Sequence, residues 1–412
     1  MNKSNKKVII FGAGPSGLFC AYHLLKTGHQ VELYDHQGGV GKKFLVAGHG
    51  GLNLTHSEDL DQFALKYGKD SQHFSSYLSE FSPENLRQWC HNLGVETFIG
   101  TSGRVFPKKL KSSEILFLWL KTLKEFPNFR LNLKHKLIDI DFQEKIAVVQ
   151  SKDKEDKEDK KELKISADYF IYGLGGASWK KTGSTGEWTQ IFIRNQIKCN
   201  AFQPMNCGFE RKWSEYFKEK VDRYPLKNVK VTLAHHSILG EVMLTPYGIE
   251  GTTIYALSKQ IREEINQFQK ATIYLDLCPH WSEEKVLEKL SKKKVKTSLS
   301  QHLKKSLHIS KECNILLKEL TTDDEYKTSS SLAKRIKNLP IELNRPRPME
   351  EAISTSGGID WQELTPNLEL KKYPNHFVMG EMIDFDAPTG GYLLQAAFSM
   401  AYRVAQNINS ML

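Results

Sequence analysis

The sequence predicts an α/β fold interrupted by a long insertion, on three observations. Residues 7–35 read as strand, glycine turn, helix, strand. A second glycine turn, at Gly390-Gly391, leads into a closing helix. Between these pieces, from about Gln190 to Asn344, the pattern changes to strand-like segments and then lysine-rich helices. The expected organisation is therefore a discontinuous dinucleotide-binding domain of the Rossmann kind, 1–190 with 344–412. It encloses a β-rich domain, 191–280, and a helical domain or cap, 281–343.

The first strand is Val8 to Phe11, a wholly apolar run as a buried parallel strand requires. Gly12 to Gly17 is the turn, Leu18 to Lys26 the helix, Gly28 its terminating glycine, and Val31 to Tyr34 the second strand. A glycine-dense loop runs from Gly38 to Gly51. Helical patterns follow over 57–67, 74–78, 83–93 and 113–124. Leu131 to Asp141 and Ile146 to Gln150 read as paired strands, extended by Leu163 to Ile165. Between them Ser151 to Lys161 alternates in charge without an apolar residue, which predicts an exposed hairpin tip. Tyr169 to Tyr172 is a short buried strand ending in Gly173-Leu174-Gly175-Gly176. In the insertion Pro340 is expected to close the helices. His376 to Met379 is the last strand, and the final helix runs from about Gly391 to Ile408.

Bulk properties narrow the classes. At 412 residues, 40% hydrophobic and 26% charged, the chain has the composition of an ordinary globular protein. No apolar run approaches the roughly 18 residues of a membrane span, and Val8 to Phe11 is too short for a signal-peptide core. A cytoplasmic location is expected, with no membrane partner. The six cysteines include no Cys-x-x-Cys pair and no metal-ligand spacing, so free thiols and no metal are expected. The net charge of +10 is partly local: 281–340 carries 14 Lys/Arg against 8 Asp/Glu. With helical rhythm and no RNA-binding signature, that surplus reads as a solvated face, and a nucleic-acid partner is not expected.

Gly12-Ala13-Gly14-Pro15-Ser16-Gly17 is a G-x-G-x-x-G fingerprint between strand and helix. In this context Gly12 allows the tight turn, Gly14 lets backbone approach a pyrophosphate, and Gly17 lets helix pack on strand. The helix N-terminus then faces the phosphates. Asp35, 18 residues past Gly17, closes the second strand where a carboxylate accepts from a ribose diol, and His36 adjoins it. Glu32 competes for that role, but alternation points it the other way. These features suit NAD or FAD equally.

The first glycine loop supplies further candidate contacts: Lys42, Lys43, Phe44, Ala47, Gly48, Gly50, Gly51 and Asn53. Its glycines suit amides wrapped around a phosphorylated or flat ligand. Gly175 and Gly176 add to them, as does Leu137. At the other end Gly380, Glu381, Asp386, Thr389, Gly390, Gly391 and Tyr392 form a glycine turn before a helix. Amides there suit negative charge on the pyrimidine edge of a reduced flavin, and Glu381 suits ribitol hydroxyls.

Taken together, the two ends resemble flavoproteins with two dinucleotide-binding domains. More closely, the chain resembles the BaiN-type (YhiN-like) family, which includes an aminoacetone oxidase. The resemblance rests on Gly12 to Gly17, Gly41 to Thr55, Ser102 to Pro107, Gly175 to Trp179, Thr245 to Gly251, Ala352 to Gly358 and Gly380 to Tyr392. It departs at Gly50-Gly51-Leu52-Asn53, where the family carries Gly-Arg-Cys-Asn, so roles of that Arg and Cys do not transfer. The resemblance implies non-covalent FAD, an inserted domain that is β-barrel-like and then helical, and an active site between domains. His49, Arg104, Trp179 and Tyr247 are substrate-cleft candidates on that basis, with no catalytic acid or base assigned.

The leading expectation is an FAD-dependent oxidoreductase acting on a small organic molecule, either oxidising an amine or carbonyl compound or reducing an enone-like one. Only one complete G-x-G-x-x-G occurs, so an NAD(P)H donor would visit the flavin transiently. The alternatives are a tRNA- or nucleic-acid-associated flavoprotein and a flavin-binding protein without turnover.

Overall fold

A computed structural model describes residues 5–48, 51–109, 111–151 and 162–411. The chain forms two compact units: 1–203 with 354–412, and 204–353.

The first unit is built on five strands: β1 (Lys7–Phe11), β2 (Gln30–Asp35), β3 (Phe129–Leu133), β4 (Tyr169–Tyr172) and β5 (His376–Val378). Their order across the sheet is β5-β4-β1-β2-β3, and every pairing is parallel. The two ends of the sequence thus share one sheet, and the predicted α/β class holds. Val8, Ile9 and Ile10 are fully buried at its centre, as a strand covered on both faces demands.

Helix α1 (Pro15–Lys26) starts with proline at its first position, where the missing N–H costs nothing, and Gly28 follows its end at φ 93°. The C-terminal helix α2 (Tyr392–Ser410) packs against α1. Phe19 of α1 meets Phe81, Trp89 and Phe398 in edge-on contacts at 4.9, 5.1 and 4.8 Å. Gln395 and Ser399 of α2, both fully buried, donate to the Phe81 carbonyl at 3.0 and 2.7 Å.

Several local expectations change. The strand expected over Leu131 to Asp141 is two strands, because Lys134 turns the chain at φ 61°. Phe129–Leu133 joins the parallel sheet, while His135–Asp141 pairs antiparallel with Ile146–Ser151, which also pairs with Glu162–Ser166. The proposed hairpin tip, 152–161, lies outside the described residues. The glycine-dense loop contains a helix, Lys42–Ala47, entered through Gly41 at φ 59°. Its single buried side chain, Phe44, explains why no periodic signal marked it.

In the second unit the strands and the lysine-rich helices share one hydrophobic cluster, from Phe209 and Val231 to Leu303, Leu316 and Ile336. The two inserted domains expected with a boundary near 281 are thus one body, because the helices have no core apart from the strands. Its seven-stranded sheet runs in the order 339–343, 271–276, 224–233, 236–245, 248–250, 209–210, 345–346. The strands at the two ends of that order are separated in sequence by Asn344 alone, so the sheet curls to near closure. Pro340 is not a helix stop but lies within Leu339–Leu343, a strand at one end of the sheet order, where a missing N–H is tolerated.

The edge strand β5 is locked by His376, which is fully buried. Its Nε2 lies 3.1 Å from the Phe142 carbonyl and therefore donates to it, so Nδ1 accepts from the Tyr172 hydroxyl at 2.8 Å. Burial pulls its pKa from 6.5 down to about 4. A base whose folded pKa is depressed favours unfolding as pH falls from the unfolded towards the folded value. The urea midpoint should therefore decline between about pH 6.5 and 4, by up to roughly 3 kcal/mol of stability for this one group. In His376→Gln the pH-dependent part of that decline should shrink. An unchanged slope in the variant would assign the acid sensitivity elsewhere.

Candidate functional site

Four of the segments predicted to bind a nucleotide lie at the carboxyl ends of strands of the parallel sheet. The fingerprint follows β1, Asp35 and His36 end β2, Gly175 and Gly176 follow β4, and Gly380 and Glu381 follow β5. In open α/β sheets that edge is where ligands bind. The first glycine loop is tied to the same edge, since the Gly41 amide donates to the Ala13 carbonyl at 2.8 Å.

The fingerprint glycines separate by what they touch. A Cβ on Gly12, at φ 105°, would fall 2.2 Å from the Gly173 carbonyl oxygen, and one on Gly17 would fall 1.9 Å from the Gly12 oxygen. Both are required by packing of turn on strand and helix. Gly14 differs: nothing lies within 4 Å of its Cβ position, and its backbone is extended at φ −82°, ψ −177°. The chain alone gives no reason for glycine there, and the open space suits a ligand lying against the backbone. Pro15 and Ser16 begin the helix, and Ser16 is buried beside Gly380.

Asp35 accepts from the Ala13 amide through Oδ2 and from the Gln37 amide through Oδ1, both at 2.7 Å. Each oxygen keeps a second lone pair, and His36 lies 3.7 Å away. Glu32 is buried on the other side, accepting from the Tyr34 hydroxyl at 2.8 Å.

The loop and the C-terminal motif meet in an ion pair. Lys43 Nζ donates to both oxygens of Glu381 at 2.8 and 2.6 Å, and to Ser178 Oγ at 2.9 Å. Gly176 packs on Thr355, whose Oγ1 accepts from the Ala177 amide at 3.2 Å. Lys42 donates to Gln37 at 2.7 Å, Phe44 is buried, and Ala47 and Gly48 end the short helix. Asn53 presents a buried side-chain oxygen with no partner among the described residues. His49 and Gly50 lie outside the described residues. Asp386 is buried and Thr389 half-buried on the way to the turn.

Gly390 and Gly391, at φ 119° and 100°, place α2 against the loop, and a Cβ on Gly391 would stand 2.6 Å from the Thr55 backbone. Tyr392 opens the helix, accepts from the Tyr67 hydroxyl at its carbonyl (2.8 Å) and donates its own hydroxyl to Glu58. Burial, then the Glu58 carboxylate, pushes the Tyr392 pKa well up, so the hydroxyl keeps its proton at neutral pH. Arg104, half-buried, stands beside Gly390. Trp179 is half-buried and held at φ 59°, an uncommon conformation for a bulky residue, with its carbonyl accepting from Thr182.

Leu137 is buried in the strand His135–Asp141, opposite Val149 of the neighbouring strand. Tyr247 belongs to the second unit, where it donates to Glu250 at 2.5 Å beneath the Arg347 guanidinium. Sequence reading did not single out Ser178 and Thr355, although both lie in glycine-bearing segments, nor His56 and Glu58, which follow the first glycine loop. All six cysteines are free thiols with pKa values raised by burial. Among the described residues no group of His, Cys, Asp or Glu is arranged to hold a metal, and no helix is long and apolar enough to cross a membrane.

Residues 6–407 match the family described as HI0933-like protein Rossmann domain. The chain belongs to this family. Its members are FAD-dependent oxidoreductases, and the open space at Gly14, the orphaned Asn53 oxygen and the Asp35 carboxylate of the HI0933-like chain fit that cofactor. A 3-dehydro-bile acid delta(4,6)-reductase of Clostridium scindens is 22% identical, over 96% of this chain and 97% of its own. A ribosomal RNA dihydrouridine synthase of Haemophilus influenzae is 23% identical, over 97% and 98%. Among solved structures, 3-ketosteroid delta1-dehydrogenase from Sterolibacterium denitrificans shares the fold at a TM-score of 0.53 and 11% identity, with each chain fully covered.

The glycine geometry gives a graded expectation. Gly14→Ala should fold with near-normal thermal stability yet lose FAD, while Gly12→Ala and Gly17→Ala should lose stability as well, by more than about 1 kcal/mol each. Thermal melts and flavin absorbance of the three purified variants check this; full FAD in Gly14→Ala would show that its open space is not used. At the ion pair, Lys43→Ala or Glu381→Ala should weaken FAD retention by about 1–3 kcal/mol, since each removes a charge-assisted hydrogen bond between partly buried groups. Titration of the apoproteins with FAD measures it.

Proposed function

We propose that this protein is an FAD-dependent reductase that saturates a carbon–carbon double bond conjugated to a carbonyl in a small organic substrate. The observation that carries the reading is the convergence of four glycine-bearing segments on one edge of the sheet, with the space over Gly14 left open. In this reading the turn Gly12 to Gly17 holds the pyrophosphate, Asp35 the ribose, Lys43 and Glu381 the ribitol region, and Gly390-Gly391 the pyrimidine edge of the ring. Bound FAD supplies a two-electron carrier, and the chain supplies position and charge. The direction of reaction is drawn from the two relatives matched along their whole length. One is named a delta(4,6)-reductase of a 3-dehydro compound and the other a dihydrouridine synthase. Both names describe a ring in which an alkene beside a carbonyl becomes saturated. With one complete fingerprint in the sequence, an NAD(P)H donor, if used, docks transiently at the flavin.

A second reading, reduction of a base within RNA, draws on the name of the Haemophilus influenzae relative and on one feature of this chain. Lys292, Lys293, Lys294 and Lys296 form a basic run with Val295 97% exposed among them. Binding to RNA that weakens steeply with salt would favour it.

The test begins with the ligand released on denaturation, which should be FAD. Anaerobically reduced protein is then mixed with cyclic enones, with their saturated ketones as controls. Return of the oxidised flavin spectrum with enones alone supports the proposal. Reduction of the oxidised protein by amines, with no response to enones, would replace it with an amine oxidase.

A further inference from the structure

Arg104 is the one cleft candidate whose charge the described structure leaves unanswered. It lies on the short strand Arg104–Pro107, paired with Thr55–His56 of the first loop. Its side chain is half-buried, and no hydrogen bond or ion pair joins the guanidinium to another described residue. The carboxylate of this cluster, Glu58, is engaged elsewhere. It accepts the Tyr392 hydroxyl and lies 3.7 Å from His56 Nδ1 and 3.6 Å from Lys66 Nζ. His56 is engaged as well, with Nε2 donating to the Ser102 carbonyl at 2.9 Å and Nδ1 accepting from the Glu58 amide at 3.2 Å. A partly desolvated cation without a counter-charge is unfavourable unless a ligand supplies the negative charge.

The position of Arg104 says where that charge would be. Its Nε lies 3.4 Å from the point where a Cβ on Gly390 would stand, so it flanks the turn that opens α2. Gly390, at φ 119°, carries no side chain to separate the guanidinium from whatever lies against the turn. A flavin ring takes up two electrons and one proton on reduction to a form bearing one negative charge, carried at the pyrimidine edge. A fixed positive charge there stabilises the reduced form over the oxidised one.

We infer that Arg104 sets the reduction potential of the bound flavin by standing against its pyrimidine edge and offsetting the charge gained on reduction. The inference rests on the FAD reading above and adds to it a residue and a direction. It involves no covalent bond to the protein and no proton transfer by Arg104.

The experiment is an anaerobic dye-equilibration titration of the full-length, FAD-loaded protein and of Arg104→Gln and Arg104→Lys, with FAD content measured in each. The unaltered protein should hold reduced FAD at least tenfold more tightly than oxidised FAD. That places its potential about 30 mV or more above free FAD for a two-electron couple. Arg104→Gln should lose about that tenfold preference at full FAD content, and Arg104→Lys, which keeps the charge, should retain most of it. Should Arg104→Gln not retain FAD, the unaltered protein and the lysine variant carry the test. A bound flavin no easier to reduce than free FAD overturns the inference without any variant. So does an unchanged potential in Arg104→Gln accompanied by a raised KM for an enone, which would assign Arg104 to the substrate. A protein holding no FAD overturns the underlying reading of the site, a distinct result.

Discussion

Parallel pairing of the edge strand β5 is the constraint on which the first unit depends. Parallel strands cannot be joined by tight turns, so the chain must travel away and return before each new pairing. Here it returns last from the far side of the insertion, to lay His376–Val378 beside Tyr169–Tyr172. That arrival brings Gly380, Glu381 and the Gly390-Gly391 turn to the edge where the fingerprint already lies. The buried His376 fixes the pairing from within, through one hydrogen bond to its neighbour strand and one to a loop carbonyl.

Around that edge, close backbone approach and charge pairing divide the work. Gly12, Gly17 and Gly391 are small because other backbone stands where their side chains would be. Gly14 is small although no described residue stands near its Cβ position. The charged groups divide similarly. Lys43 and Glu381 satisfy one another across the site, and Glu58 is engaged by Tyr392 and Lys66. Among the described residues no hydrogen bond or ion pair reaches Arg104. Groups that the protein's own packing does not explain are the natural candidates for explanation by a ligand, and Gly14, Asn53 and Arg104 are of this kind.

The second unit solves a different problem. Its sheet nearly closes on itself, which leaves little edge for unwanted pairing. The lysine-rich helices bury Val286, Leu303, Leu316 and Ile336 into the same cluster as the strands. The helical lysines between those positions are consequences of amphipathic helices facing water on one side.

The sequence by itself determined the strand–turn–helix–strand start, the opposite facing of Asp35 and Glu32, and the glycine turn before the last helix. These are local patterns, or a period that a buried strand or an amphipathic helix enforces residue by residue. It did not reveal the helix Lys42–Ala47, whose glycine-rich surroundings hide a single buried residue, or the break at Lys134, which one left-handed residue imposes. It divided the insertion at 281 because strand and helix periods differ there, whereas the shared core is a long-range fact. Only the tertiary structure decided that Lys43 meets Glu381 across 338 positions of chain, that Glu58 holds Tyr392, and that no described residue forms a hydrogen bond or ion pair with Arg104. Charge pairing of that kind depends on distances between side chains far apart in sequence, and no spacing along the chain encodes it.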